Sequence, residues 1–167
     1  MAPSDNPFAA ARRLARHQFI AQFPEPLLVG DRVHELEGDK PVAMPQISWN
    51  QTEISSKFGA AQLAMLVVTL RKVQKNFPRM ITVGRTSNSD IVIPDDSVSK
   101  MHAFFQRLEN GTSFGLTDAG STNGTFVNDI RLTAHAAPTP TPAGAVVRFG
   151  RIALIVRDAA AFWDSLR

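Results

Sequence analysis

From Leu63 onward the chain breaks into short apolar runs rich in Val, Ile and Phe, at residues 65–73, 80–83, 91–93, 103–108, 114–117, 125–127, 145–149 and 152–156, separated by Gly, Pro, Asn and Asp. Runs of this length at turn-like spacing predict strands. Apolar and polar positions alternate in Val68-Thr-Leu-Arg-Lys-Val and in Val146-Val-Arg-Phe, as in a sheet with one buried face. No long amphipathic helix interrupts the runs to supply a crossover, so the pattern predicts an all-β, antiparallel β-sandwich. Upstream, Phe8, Ala11, Ala15 and Phe19 recur at helical spacing behind Asp5, Asn6 and Pro7, which predicts a helix over about 7–22. Its Arg-rich, acid-poor face is open to three readings: docking on the domain, membrane-surface binding, or a transit-type address. Pro24, Pro26, Gly30, Gly38, Pro41 and Pro45 punctuate the stretch that follows, so residues 24–60 read as loops and short extended pieces, with Leu27-Leu-Val apolar enough to pack on a neighbour. The prolines of Pro138-Thr-Pro-Thr-Pro-Ala-Gly predict a stiff exposed connection that does not pair in a sheet. Asp158 is placed to cap a last short helix within 158–167. The organisation is therefore an N-terminal arm over 1–60, a β domain over 61–157 and a C-terminal helix.

Charge sharpens this division. Residues 1–60 hold 6 Lys/Arg against 7 Asp/Glu, residues 61–157 hold 11 against 6, and the last ten hold 1 against 2, so the net positive charge falls on the β domain. That favours an anionic partner, but the charge is too dispersed for the basic stripe of a nucleic-acid binder. The absence of Cys excludes disulfide frameworks, thiolate zinc sites and cysteine nucleophiles, and leaves the cytoplasm as the expected compartment. No run reaches the roughly 20 apolar residues of a membrane helix. The four His lack metal-ligand spacing, and Asp90, Asp95 and Asp96 lack the alternation of a calcium loop, so no metal or cofactor is expected.

Three polar clusters lie between the apolar runs. The first is Gly84-Arg85-Thr-Ser-Asn-Ser-Asp90, the second Ser97-Val-Ser99-Lys100-Met-His102-Ala, the third Ser121-Thr122-Asn123-Gly124-Thr125. A guanidinium fork, a hydroxyl beside an ammonium, and an amide that both donates and accepts are the groups a phosphate site uses. Together with Asp90-Ile-Val-Ile93, Asp118-Ala-Gly-Ser, Phe126-Val-Asn128 and the Gly150-bounded strand pair, in this order, they resemble the forkhead-associated (FHA) domain, a phosphothreonine-binding module. The resemblance implies an FHA/SMAD-like sandwich with its ligand held by loops at one end. It implies that Arg85, Ser99 and Lys100 contact the phosphate, that Thr122 and Asn123 hold the phosphate and the peptide main chain, and that Gly84, His102, Gly124 and Asn128 shape the loops. Three positions depart from the commonest form of the family: Lys100 where Arg is frequent, Asp129 where Gly is usual, and Ala145 where Asp is common.

The function expected from the resemblance is a non-catalytic adaptor that recognises threonine-phosphorylated partner proteins, substrates of a Ser/Thr kinase, in a bacterial setting. The alternative is a constitutive assembly protein that uses the sandwich and the arm. Ser99 and His102 also suggest a nucleophile and its base, but a hydrolase would need an orienting acid and an oxyanion hole besides, and the resemblance implies that His102 braces the binding loop. Thr52 is the only Thr of the first 60 residues and a candidate regulatory phosphosite.

Overall fold

The computed structural model describes residues 7–30, 67–109, 111 and 113–167. Its helices are α1 (Pro7–Arg13), α2 (Arg16–Gln22) and α3 (Ala159–Ser165). Its strands are β1 (Leu27–Gly30), β2 (Val67–Thr69), β3 (Ile81–Gly84), β4 (Ile91–Val92), β5 (Ala103–Arg107), β6 (Phe114–Asp118), β7 (Thr125–Val127), β8 (Ile130–Arg131), β9 (Thr139–Pro140), β10 (Val146–Phe149) and β11 (Ile152–Arg157). They form two sheets, ordered β2-β1-β11-β10-β7-β8 and β4-β3-β5-β6-β9, so the β-sandwich expected from the sequence is the observed architecture. The alternation of β11, inward at Ile152, Leu154 and Val156, sets one face of the first sheet on Val83, Phe105 and Leu116 of the second. Burying side chains of this size is worth roughly 1.5–3 kcal/mol each.

Four details differ from the sequence reading. Leu27–Gly30 is a full member of the first sheet, between β2 and β11. Leu28 points into the sandwich core, while Leu27 and Val29 join Phe19, Phe23, Val67, Ala159 and Phe162 in a second cluster beneath the helices. A strand covered on both faces loses the polar alternation that marks a strand in sequence. The predicted 7–22 helix is broken at Leu14-Ala15 into α1 and α2. Both halves dock on α3: Trp163 Nε1 donates to the Leu14 carbonyl and Arg167 Nη2 to that of Ala11, while Arg16 and Asp164 form an exposed two-bond fork.

The Pro-rich insert does pair, against expectation: Thr139 and Pro140 lie opposite Leu116 and Gly115 on the edge of the second sheet. Proline alternates with threonine there, and successive amides of a strand face opposite edges. The Thr141 N–H turns inward to the Phe114 carbonyl at 2.9 Å, while Pro138, Pro140 and Pro142 turn outward and leave no donor for a further strand. Finally, β4 runs parallel to β3, with Val83 opposite Ile91. Asp90 sets this register, since its backbone N–H and its carboxylate both bond Thr82.

Candidate functional site

The loops after β3, before β5 and after β6 meet at one end of the sandwich, and hydrogen bonds join them. The Arg85 N–H donates to the Ser99 carbonyl at 3.0 Å. Ser99 Oγ accepts from the Thr122 N–H at 3.1 Å, and Asn123 Nδ2 donates to the Ser97 carbonyl at 2.9 Å. The three polar clusters of the sequence thus become one surface. Ser99 Oγ keeps its proton available for an outside acceptor, and Asn123 keeps its carbonyl oxygen for an outside donor. Among the described residues, the Arg85 guanidinium and the Lys100 ammonium have no hydrogen-bond or ion-pair partner. Two cations, a hydroxyl and an amide carbonyl therefore face outward on a braced backbone.

The brace is made of groups with no freedom to change partners. His102 is fully buried; its Nδ1 accepts from the Ser99 N–H at 3.0 Å, which requires Nε2 to carry the proton and donate to the Gly124 carbonyl at 2.9 Å. Burial holds the ring below the ordinary imidazole pKa, only partly offset by the Gly124 bond and Asp118, so it is neutral at pH 7. With both nitrogens engaged by backbone, His102 is no base for Ser99. Gly84 is required because a Cβ there would overlap the Lys100 carbonyl oxygen. Gly124 takes φ +93°, and Asn128 and Asp129, both at positive φ, make the β7–β8 hairpin turn, a conformation Asn and Asp adopt more readily than most residues. Asn128 Oδ1 also accepts from the Val146 N–H at 2.9 Å.

Three acids brace the site: Asp118 and Asp90 stand in the sequence motifs with no role assigned to them, and Asp95 carried no distinctive signal. Asp118 ends β6 with its carboxylate buried. It accepts from Ser121 Oγ and Thr125 Oγ1 at 2.5 Å each and from the Gly120 and Ser121 N–H groups, so it joins the third loop to β7 of the opposite sheet. Asp95 is clamped by Arg151 Nε and Nη2 and by Ser97, tying the second loop to the β10–β11 turn. Asp90 holds Lys72 Nζ at 2.8 Å and the Val73 and Gln74 N–H groups besides Thr82. With their oxygens filled by protein donors, these carboxylates are turn anchors, and no metal-binding group of His or acids occurs among the described residues. Met101 lies outside β5 and is 37% exposed. Thr52 lies outside the described residues.

Burial raises the pKa of each of these three Asp, but the hydrogen bonds outweigh it and hold all three below the ordinary carboxylate range. Their stabilisation is complete above about pH 3.9 and is lost as pH falls through the lower folded values. The His102 contribution is complete above about pH 6.5 and is lost as pH falls toward its depressed folded value. Unfolding free energy is therefore expected to fall in two stages on acidification, which urea titrations from pH 7.5 to 3 will measure. A stability that rises between pH 7 and pH 5 would contradict the assignment of His102.

Comparison with known proteins agrees with this geometry. The family model described as FHA domain matches residues 81–150, spanning all three loops. The FHA domain-containing protein FhaB of Mycolicibacterium smegmatis is 35% identical over 78 residues, 46% of each chain. The oxoglutarate dehydrogenase inhibitor of Corynebacterium diphtheriae is 49% identical over 47 residues, 28% of this chain and 32% of that one. A solved structure from a structural and functional analysis of phosphothreonine-dependent FHA domain interactions covers 56% of this chain and 84% of its own, at 28% identity and TM-score 0.45. The chain spans less than half the length of these two curated relatives. The loop motifs, the two-sheet sandwich and the family match agree that residues 81–150 of the chain carry an FHA domain.

Proposed function

We propose that this protein binds a phosphothreonine-bearing segment of a partner protein at the loop surface and serves as a non-catalytic adaptor in cytoplasmic Ser/Thr kinase signalling. The observation that carries the reading is the joining of Arg85, Ser99 and Thr122 by hydrogen bonds to the Ser99 carbonyl and hydroxyl, with the Arg85 and Lys100 cations uncommitted beside them. A phosphothreonine brings a charge of about −1.5 to −2 and three strong acceptor oxygens. Arg85 supplies the fork, Lys100 a point charge, and Ser99 Oγ a hydroxyl donor. Asn123, anchored through Nδ2, offers its Oδ1 to a peptide N–H, and Thr122 holds the same loop in place.

Beside Lys100 lies a groove of about 480 Å³ whose lining includes Phe77, Thr86, Ser87, Asn88 and Met101. Phe77 is 53% exposed at φ +48°, an uncommon combination for an aromatic residue. A bond from Gln74 Nε2 to the Ser87 carbonyl ties its walls together. The segment on this flank is expected to favour an apolar side chain, and Phe77→Ser with Met101→Ser to weaken that preference about tenfold in a positional peptide scan.

The deciding test is fluorescence anisotropy of the full chain with a degenerate phosphothreonine peptide pool and its phosphoserine and unphosphorylated counterparts. Saturable binding confined to the phosphothreonine pool is the expected result. Equal binding of all three pools would favour a constitutive assembly role instead.

A further inference from the structure

We propose that the end of the sandwich opposite the phosphate-binding loops is a second docking site, which takes a short acidic segment of a partner protein. The same strands that carry the loops end there: β3 begins at Ile81, β5 ends at Arg107, and β6 begins at Phe114. From Ala103 to Arg107 the separation is roughly 13 Å at about 3.3 Å per residue. In the other sheet, Glu25 precedes β1 and Arg71 follows β2 at this same end, since Leu27 pairs with Thr69. Between the sheet ends opens a cavity of about 640 Å³, whose walls include Glu25, Arg71, Lys72, Arg79, Arg107 and Phe114.

Four cations line this cavity against one carboxylate, and they are unequally committed. Lys72 is bonded to Asp90. Arg107 donates Nη1 to the Gly111 carbonyl and lies over the Phe114 ring at 4.8 Å, leaving its remaining N–H groups. Arg71 reaches Glu25 at 3.9 Å, too far for a hydrogen bond. Arg79 has no hydrogen-bond or ion-pair partner among the described residues. An outside carboxylate has at least two guanidinium forks to meet.

Glu25 specifies the rest of the ligand. Its Oε2 is buried and without a hydrogen-bond partner, a state that is unfavourable unless a donor arrives. A ligand that presents an N–H or O–H donor next to its negative charge satisfies it. A peptide with Asp or Glu side chains does so, its backbone N–H serving Glu25 and its carboxylates serving Arg79 and Arg107. A nucleic-acid backbone fits less well: its phosphodiesters offer Glu25 no donor, and too few cations are free to follow it. With phosphate recognition at one end and acid recognition at the other, one domain can hold two proteins at once. The inference stands on residues separate from Arg85, Ser99 and Asn123.

The test is anisotropy of a fluorescein-labelled hexaglutamate peptide with the full chain at low and at physiological salt. Hexaglutamine and a single-stranded oligonucleotide of matching charge serve as the other probes. Saturable, salt-sensitive binding of hexaglutamate is expected, reduced at least tenfold by Arg79→Glu with Arg107→Glu, and unchanged by Arg85→Ala. The milder pair Arg79→Gln with Arg107→Gln keeps the test decisive if charge reversal unfolds the protein, as circular dichroism will show. In amide shift mapping, hexaglutamate should perturb Arg71, Arg79 and Arg107 and leave Ser99 and Thr122 unmoved. Loss of binding in Arg85→Ala alone would assign the acid to the phosphate loops and overturn the proposal. So would equal or tighter binding of the oligonucleotide, or no saturable binding of hexaglutamate.

Discussion

Replacing Arg85 by Ala is expected to weaken phosphothreonine-peptide binding at least a hundredfold while leaving the fold intact. A guanidinium bonding a phosphate through two N–H groups forms two charge-assisted hydrogen bonds, each worth about 1.5–3 kcal/mol. Loss of the pair is then about 3 kcal/mol or more, and each 1.36 kcal/mol is a factor of ten. The same side chain has no partner within the described fold, and only its backbone N–H braces the loop, through Ser99. The change keeps that N–H, so thermal and urea midpoints should stay within the scatter of a surface substitution, about 0.5 kcal/mol. Arg85→Lys should fall between wild type and Ala, because a point charge replaces the fork. Titration of one phosphothreonine peptide against the three proteins checks the ranking. Retention of affinity within threefold in Arg85→Ala would mean that the phosphate is bound elsewhere, and the reading of the loop surface would fail.

The second large effect is expected at a residue that touches no ligand. Asp118→Ala should destabilise the protein by about 3–5 kcal/mol and abolish peptide binding with it. The carboxylate satisfies two backbone N–H groups and two hydroxyls, and it is held ionised because those bonds outweigh the burial that raises its pKa. Its removal leaves buried donors without acceptors, at about 1–3 kcal/mol each for those that water cannot reach. Because Thr125 belongs to β7 and Asp118 to β6, the loss also loosens one sheet from the other at the site end. Asp118→Asn preserves shape but presents an NH₂ group to donors, so little rescue is expected. Urea denaturation measures the change, which is a large share of the roughly 5–15 kcal/mol that holds a domain of this size together. A loss below 1 kcal/mol would show that solvent replaces the carboxylate and that the loop needs no anchor.

Much of this protein was legible in its residues. The strands over 81–84, 103–107, 125–127 and 152–157 follow from apolar runs bounded by Gly, Asn and Asp, because such runs report local backbone preference and burial of one face. Arg85, Ser99, Lys100 and Asn123 stood out because their chemistry differs from their surroundings in a fixed order, and the structure joins their loops through bonds no longer than 3.1 Å. Asp158 was recognisable as a helix cap, and it accepts from the Ala161 N–H.

What escaped depends on partners distant in sequence. Leu27–Gly30 has no strand signature of its own, since it becomes a strand by filling a gap between β2 and β11 and is covered on both faces. The Thr-Pro insert pairs only because an open sheet edge needs the two inward Thr amides and tolerates the outward prolines. Asp118, Asp95 and Asp90 look like ordinary turn acids until the fold surrounds them with donors. Glu25, Arg71, Arg79 and Arg107 are separated by up to 82 positions in the numbering, and only the packing of two sheets gathers them around one cavity. By itself the sequence determined which segments extend and which side chains are fit to meet a phosphate. The tertiary structure alone decided which of them meet, because pairing, shared burial and satisfied charge belong to pairs of segments rather than to any one of them.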